Sequence, residues 1–389
     1  MASRSPSSRD FASTTPRDDV RLTASDRPGI AQPVPVRDIP AQPWRRIFIG
    51  TLILLLAMVA AWEWYWRAFG VVPSYRNSDG QWAEQRRRID HGEGGKTVLI
   101  GASRMLFDIQ LPVWERASGE RPIQLAMEGT SPVPVLEDLA GDADFTGRVV
   151  IDVTPHVFFA GGAYRDQLLT YYRKQTPAQR IGDWLSMTSL EPYVAFYDPD
   201  FALGTMVQRQ AWPVRPGVPM RVVPRKLVLH DLDRNTYLWS KVEDDPAYHA
   251  LVQDIWRRNF SRPVAQILPG MDTQEKKQAM IDAQIARSAT AIATLRKRGV
   301  KVLFLRPPSD GLIHEFEDRE LPRETTWDLL LQRTGVPGIH FEDYPALQGY
   351  YLPEWSHLSA SEANRFTEAL VPLVESEFAR QTAPDPTPH

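Results

Sequence analysis

The segment KTVLIGASRMLFDI, residues 96–109, runs from a short apolar stretch into a glycine and then a single serine. Its first part, TVLIG, does not alternate between polar and apolar side chains, which is typical of a strand buried on both faces of a parallel sheet. Similar apolar runs lie at 122–127, 148–154, 301–308 and 338–344, with helical patterns interspersed. The pattern predicts an α/β fold with a central parallel sheet and helices on both of its faces.

Residues that can take part in catalysis or binding follow three of these strands. Ser103 comes after the first strand, Gly129 and Thr130 after the second, and Thr154 and His156 after the third. Ligands of open α/β sheets bind beyond the carboxyl ends of the strands. We therefore expect these residues to face one crevice, with Thr130 and His156 as substrate contacts.

Two arginines are predicted at the same edge of the sheet. Arg104 follows the serine and Arg306 follows the fourth strand. Each is interpreted as a contact to an anion or a carbohydrate in the crevice. The alternatives are a surface charge for Arg104 and a strand terminator, closed by Pro307 and Pro308, for Arg306.

Two later helices carry clear start signals. The first is predicted to begin at Asp272, with Glu275 three residues on, and the second at Ser359, with Glu362 three residues on; both have the spacing of a capping box. Pro372 is expected to kink the second helix.

Composition excludes several classes of protein. The 389 residues carry a formal net charge of −3, so the chain lacks the excess of positive charge that attracts a nucleic acid. The absence of cysteine excludes disulfides, thiolate metal sites and a cysteine nucleophile. The histidines show no metal-ligand spacing, and neither a metal nor a cofactor is predicted.

Residues 44–66 are predicted to form one transmembrane helix that contacts membrane lipid. No charged residue occurs from Ile47 to Trp62, and about 20 apolar residues suffice to span a bilayer core. Aromatic residues form a belt at one end: Trp62, Trp64, Tyr65 and Trp66. The alternatives are a cleaved signal peptide and a buried core helix. We expect the helix to cross the cytoplasmic (inner) membrane once, with the N-terminal tail on its inner side and the later domain in the periplasm or outside.

The rest of the chain divides around this helix. Residues 1–43 and 381–389 are expected to be disordered tails, and 67–96 a connector. Residues 97–380 would form the α/β domain, with an insertion at about 160–270 that is rich in aromatic residues and proline and serves as a lid or partner surface.

A base for the serine is offered by YYLPEWSHLSASEANRF, residues 350–366. Glu354 and His357 lie three residues apart in a predicted loop after the last strand. A serine hydroxyl needs an imidazole to accept its proton, and the imidazole needs a carboxylate to orient it. Ser103, His357 and Glu354 therefore predict a catalytic triad. The alternatives are a helix N-cap for Ser103, a hydrogen-bonded loop histidine and a solvated glutamate.

These blocks resemble the SGNH (GDSL-like) hydrolases over roughly residues 97–375. The resemblance implies a three-layer sandwich, with Ser103 as nucleophile and Glu354 and His357 as acid and base. It also implies that the backbone N–H groups of Ser103 and Gly129 bind the oxyanion. The chain departs from the family at the first block, which lacks Asp before Ser, and at the third, where Thr154 or His156 replaces the oxyanion-binding Asn.

The membrane helix and altered blocks are similar to anchored members of this group that serve O-acylation of envelope polysaccharides. The resemblance implies a serine esterase or acyltransferase that acts on acyl, especially acetyl, groups of a cell-envelope glycan. It also implies a multi-spanning membrane acyltransferase as partner. The alternative is a catalytically weak module of the same fold that binds polysaccharide or scaffolds such a complex.

Overall fold

The structure is a computed structural model that describes residues 20–21, 34–35, 41–210 and 225–382. The predicted tails fall mostly outside the described residues. The chain divides into two compact units between Ala61 and Trp62.

Nine strands occur among the described residues: β1 Val20–Arg21, β2 Val34–Pro35, β3 Thr97–Ile100, β4 Ile123–Gln124, β5 Arg148–Asp152, β6 Val228–His230, β7 Thr236–Leu238, β8 Lys301–Arg306 and β9 Gly338–His340. The α-helices of the same segments are α1 Trp44–Phe69, α2 Asp79–Arg88, α3 Ser103–Asp108, α4 Leu111–Ser118, α5 Val133–Gly141, α6 Pro155–Phe158, α7 Leu168–Lys174, α8 Pro177–Ser189, α9 Leu203–Gln208, α10 Ser240–Asp244, α11 Pro246–Phe260, α12 Val264–Ile267, α13 Gln274–Lys297, α14 Gly311–Glu320, α15 Trp327–Thr334 and α16 Ala360–Arg380.

The central sheet has five strands in the order β4-β3-β5-β8-β9, and every neighbouring pair is parallel. All five strands fall within the apolar runs predicted from the sequence, so the central parallel sheet is confirmed. The register pairs Leu99 with Val150 and Val150 with Leu303. The described parts of the insertion add helices α7–α12 and the antiparallel pair β6–β7.

Alternation along the strands divides the core into two layers. Val98 and Phe304 point to one layer, which includes residues of α2, α5, α13 and α15. Leu99 and Leu303 point to the other, which includes residues of α3, α4 and α16. Helices therefore cover both faces of the sheet, as the apolar strands require.

The structure corrects the predicted start of α13 and confirms that of α16. The N-cap of α13 is Thr273, whose hydroxyl accepts from Lys276 N at 3.3 Å, and not Asp272. The prediction was wrong by one residue because the threonine hydroxyl reaches the third amide of the helix, whereas Asp272 pairs with the Lys276 side chain. Ser359 caps α16 as predicted, and α16 continues through Pro372.

Helix α1 is 26 residues long and apolar enough to cross a membrane by its length and composition. It extends three residues beyond the predicted span. The predicted connector contains α2, whose Trp82 is fully buried in the core of the α/β domain. That domain therefore draws on residues before 97.

Candidate active site

The turn after β3 brings Ser103 to the carboxyl edge of the sheet. A Cβ atom on Gly101 would lie 2.4 Å from Asp152 Cβ and 2.7 Å from Met105 Cβ, so the close approach requires glycine. Ala102 N donates to Asp152 Oδ2 at 2.9 Å, which ties the turn to the end of β5. Ser103 is the first residue of α3 and Ala102 is its N-cap. The helix-cap interpretation of Ser103 is therefore wrong.

The predicted convergence of three side chains is confirmed. Ser103 Oγ lies 2.8 Å from His357 Nε2, and His357 Nδ1 lies 2.7 Å from Glu354 Oε1. An ionised carboxylate only accepts hydrogen bonds, so Nδ1 donates to Glu354 and Nε2 accepts from the serine hydroxyl. This is the tautomer that a histidine needs to act as a general base toward serine.

The loop that carries the acid and base is held from several directions. Glu354 Oε1 also accepts from His357 N at 2.7 Å, so one oxygen fixes both the backbone and the ring. Leu358 N donates to Asp108 Oδ1 at 2.9 Å, and the Phe107 ring packs against His357 with a centroid separation of 4.4 Å. Helix α3 therefore positions the histidine as well as the serine.

Burial leaves the serine as the most accessible member of the triad. Glu354 is fully buried and His357 is 2% exposed, whereas Ser103 is partly exposed between buried neighbours. The solvated-glutamate interpretation is therefore wrong. A ligand that approaches from solvent meets the hydroxyl before the imidazole or the carboxylate.

Two further buried carboxylates surround the triad. Burial raises the pKa of Asp108 well above its usual value, and Glu354 and Asp152 add to the shift despite the hydrogen bond from Leu358 N. Burial also raises the pKa of Asp152, against the hydrogen bond from Ala102 N and the charge of Arg104. Both aspartates therefore keep a proton to a higher pH than an exposed aspartate does.

The resemblance implies two backbone N–H groups as oxyanion donors, those of Ser103 and Gly129. The amide of Ser103 begins a helix and so has no acceptor within it. Met127 N donates to Gly101 O at 2.9 Å. Gly129 lies two residues after Met127, and Ser103 lies two residues after Gly101. Gly129 has φ of +58°, which glycine adopts readily. Within the described segments, neither of the two amides donates a hydrogen bond to the protein.

The third predicted donor is already used. The Thr154 hydroxyl donates to the Asp152 carboxylate, with its oxygen 3.0 and 3.1 Å from the two carboxylate oxygens. The expectation that the Thr154 side chain binds the oxyanion is corrected, because the hydroxyl donates its one hydrogen to Asp152.

Both arginines were wrongly predicted to contact substrate. Arg104 is 0% exposed and Arg306 is 3% exposed. Both donate to Glu317 of α14: Arg104 with two nitrogens at 2.9 and 3.2 Å, and Arg306 with one at 2.8 Å. Arg104 Nε also donates to Ser356 O at 3.3 Å, next to the base. The charges face inward because a buried carboxylate balances them.

His156 belongs to the same cluster, with Nδ1 2.7 Å from Glu317 Oε1 and a side chain 19% exposed. Burial alone would raise the pKa of Glu317, but Arg104, Arg306 and His156 outweigh it and hold that pKa well below the usual value. The substrate-contact role of His156 stays a prediction.

Thr130 lies away from the triad contacts. Its hydroxyl donates to Glu128 O at 3.0 Å and accepts from Arg165 N at 3.0 Å. It also borders a cavity of about 220 Å³ whose lining includes no member of the triad. The substrate-contact role of Thr130 stays a prediction.

Three acidic residues of the site were missed in the sequence. Asp152 could have been found, since it ends a strand at the predicted edge. Asp108 and Glu317 lie on helices without a local motif, and only the packing of α3 and α14 brings them to the site.

Comparison with known proteins adds no relative: no protein-family model, no curated protein and no solved structure matches this chain.

Proposed function

We propose that this protein is a membrane-anchored serine esterase or acyltransferase of SGNH type. It acts on O-acyl groups, especially acetyl groups, of a cell-envelope carbohydrate. The observation that carries the proposal is the unbroken hydrogen-bond chain from Ser103 Oγ through His357 to the buried Glu354. Helix α1 serves as the anchor in the cytoplasmic membrane, with the α/β domain on its outer side and a multi-spanning acyltransferase as partner.

The geometry supports a two-step acyl transfer. Ser103 Oγ attacks the ester carbonyl carbon while His357 Nε2 takes the hydroxyl proton, and Glu354 stabilises the imidazolium that forms. The N–H groups of Ser103 and Gly129 bind the oxyanion. Collapse breaks the ester C–O bond, and the leaving alcohol takes the proton from Nε2. Water or a sugar hydroxyl then attacks the acyl-serine while His357 Nε2 takes its proton. Collapse breaks the bond between the acyl carbon and Ser103 Oγ, and Nε2 returns the proton to that oxygen.

An aromatic side chain beside the oxyanion loop supports a carbohydrate substrate. Tyr164 is 72% exposed, and its N donates to Gly129 O at 3.4 Å. A Cβ atom on Gly129 would lie 3.1 Å from Tyr164 Cβ, so the two residues are in contact. The apolar C–H face of a sugar ring packs well on an exposed aromatic ring.

One observation favours the alternative, a catalytically weak module that binds polysaccharide or scaffolds a membrane complex. The Thr154 hydroxyl is used by Asp152, so two backbone N–H groups would have to bind the oxyanion without it. Loss of one oxyanion donor costs about 10²–10³-fold in rate in serine hydrolases.

A serine-directed fluorophosphonate distinguishes the two functions. The full chain in detergent or nanodiscs is treated with the probe, and the adduct is mapped by mass spectrometry. We expect one adduct on Ser103, none in Ser103→Ala, and wild-type labelling in Ser118→Ala, which removes a hydroxyl at the end of α4. A wild-type protein that unfolds cooperatively but takes no label would overturn the hydrolase proposal in favour of the binding module.

A further inference from the structure

Helix α8 exposes an apolar face to solvent. A capping box fixes its start, with Thr176 Oγ1 accepting from Gln179 N and Gln179 Oε1 accepting from Thr176 N. Ile181, Trp184 and Leu185 share one face, since they lie three and four residues apart. They are 58%, 59% and 47% exposed. Helices at the surface of a soluble domain normally turn such a stripe inward.

The opposite face of α8 contacts the protein and carries Asp183 and Ser186 beside the apolar Met187. Asp183 accepts from the Tyr171 hydroxyl at 2.7 Å, and Ser186 donates to Glu191 at 2.6 Å. Met187 is the buried residue of the helix. Since Asp183 is its one acidic residue and is used inside, the remaining charge is Arg180, which is exposed. Ile181, Trp184 and Leu185 thus face solvent, whereas Asp183 and Ser186 form hydrogen bonds within the protein.

The chain after α8 is joined to the last part of α1. Ala195 N and Phe196 N donate to Glu63 at 3.0 and 3.2 Å, and Arg67 Nη2 donates to Tyr193 O at 2.8 Å. The Trp66 ring packs on Phe201 with a centroid separation of 4.7 Å. These contacts anchor the segment that follows α8 to the aromatic belt, where α1 is expected to leave the lipid.

The exposed apolar residues continue from α8 to these contacts. Leu190 is 41% and Tyr193 is 65% exposed, and on α1 itself Trp64 and Tyr65 are 71% and 53% exposed. We define the α8 face as Ile181, Trp184, Leu185, Leu190 and Tyr193. Along the chain these residues lead from α8 to Tyr193, whose carbonyl accepts from Arg67, the residue that follows the belt.

We propose that the α8 face lies on the lipid bilayer as an interfacial helix, in addition to the span by α1. The inference rests on the anchor in the proposed function and is independent of the catalytic chemistry. Tryptophan, tyrosine and leucine are the residues that settle at the boundary between headgroups and acyl chains, and an exposed arginine meets lipid phosphate there. Exposed apolar side chains gain free energy when they leave water for lipid, in proportion to the apolar surface that is buried.

The absence of cysteine from the sequence makes the test clean, since each introduced thiol is unique. Ile181→Cys and Leu185→Cys are made one at a time in the full chain, labelled with a nitroxide and placed in lipid nanodiscs. Leu54→Cys on α1 is the reference for lipid, and Ala293→Cys on the exposed side of α13 is the reference for water. Electron paramagnetic resonance measures collisions with oxygen, which concentrates in lipid, and with a water-soluble nickel chelate.

We expect the labels at 181 and 185 to collide with oxygen and to be protected from nickel, as at 54, with an oxygen-to-nickel ratio several times that at 293. A ratio like that at 293 overturns the inference. Protection from both reagents also overturns it, because protein would then cover the face, either a second copy or another segment of the chain. An aqueous label at 54 contradicts the anchor in the proposed function, while the labels at 181 and 185 still decide the α8 face.

Discussion

The position of Ser103 depends on small residues that precede it. Gly101 has no side chain because Asp152 and Met105 occupy the space, and Ala102 leaves the helix without a side-chain cap. The serine hydroxyl is therefore directed to His357 instead of the helix amides. A residue that sequence patterns favour as a cap becomes the candidate nucleophile because an imidazole reaches it.

At the same scale we predict the effect of Glu354→Gln. The amide oxygen can still accept from His357 N and Nδ1, but the negative charge that stabilises the imidazolium is lost. We expect ester hydrolysis to fall about 10²–10⁴-fold. The measurement is kcat/KM for an aryl acetate, with the thermal unfolding midpoint as the check on folding. Glu368→Gln, on the exposed side of α16, is the matched control; equal rates in both variants would contradict the role of Glu354.

Helix α14 supplies the element that joins the site together. Its Glu317 forms ion pairs with Arg104 of α3 and Arg306 at the end of β8, and it contacts His156 of α6. Arg104 in turn donates to Ser356 O, beside His357. One buried carboxylate therefore links the elements that carry the nucleophile and the base.

For helix α14 we predict the effect of Glu317→Gln. Removing the charge leaves two buried guanidinium groups uncompensated, so we expect the free energy of unfolding to fall by about 3–5 kcal/mol. Glu320→Gln on the same helix removes a more exposed pair with Lys277 and Arg319, and about 1 kcal/mol or less is expected. Urea unfolding followed by circular dichroism measures both.

The effect of Glu317 depends on pH in a defined direction. Its pKa in the folded protein lies well below 4.5, so the stability it contributes is present above about pH 4.5 and is lost as the pH falls toward the folded value. The difference between wild type and Glu317→Gln should therefore be complete at pH 7 and shrink below pH 4.5. A difference that is the same at pH 7 and pH 3.5 would show that the charge of Glu317 is not what stabilises the cluster.

At the scale of the whole molecule, the last part of α1 is integrated into the α/β domain. Trp66 is 5% exposed and belongs to the core layer that contains Leu99 and Leu303. Glu63 and Arg67 add hydrogen bonds to the chain at 193–196. The last residue of the aromatic belt, Trp66, is therefore part of the domain core.

The third prediction uses two tryptophans of the same helix. Trp66→Ala removes a buried ring from the contact with Phe201, and we expect a loss of about 3–5 kcal/mol in unfolding free energy. Trp64→Ala changes a ring that is 71% exposed, and a change within about 0.5 kcal/mol is expected. Denaturant unfolding of the full chain in detergent gives both values. Equal destabilisation by the two variants would mean that the domain folds without the end of α1.

The parallel sheet, the helix long enough to span a membrane and the three residues of the triad were all predicted correctly from the amino-acid sequence. These follow from local patterns: apolar runs, the length of an uncharged stretch, and the Glu354-x-x-His357 spacing after a strand. Which charged side chains are buried can be known only from the fold, because burial depends on partners that are distant in sequence. Arg104 and Glu317 are 213 positions apart, and neither shows in its own segment that it will be paired. The exposed apolar face of α8 has the same cause, since only packing shows which face of a helix contacts the protein.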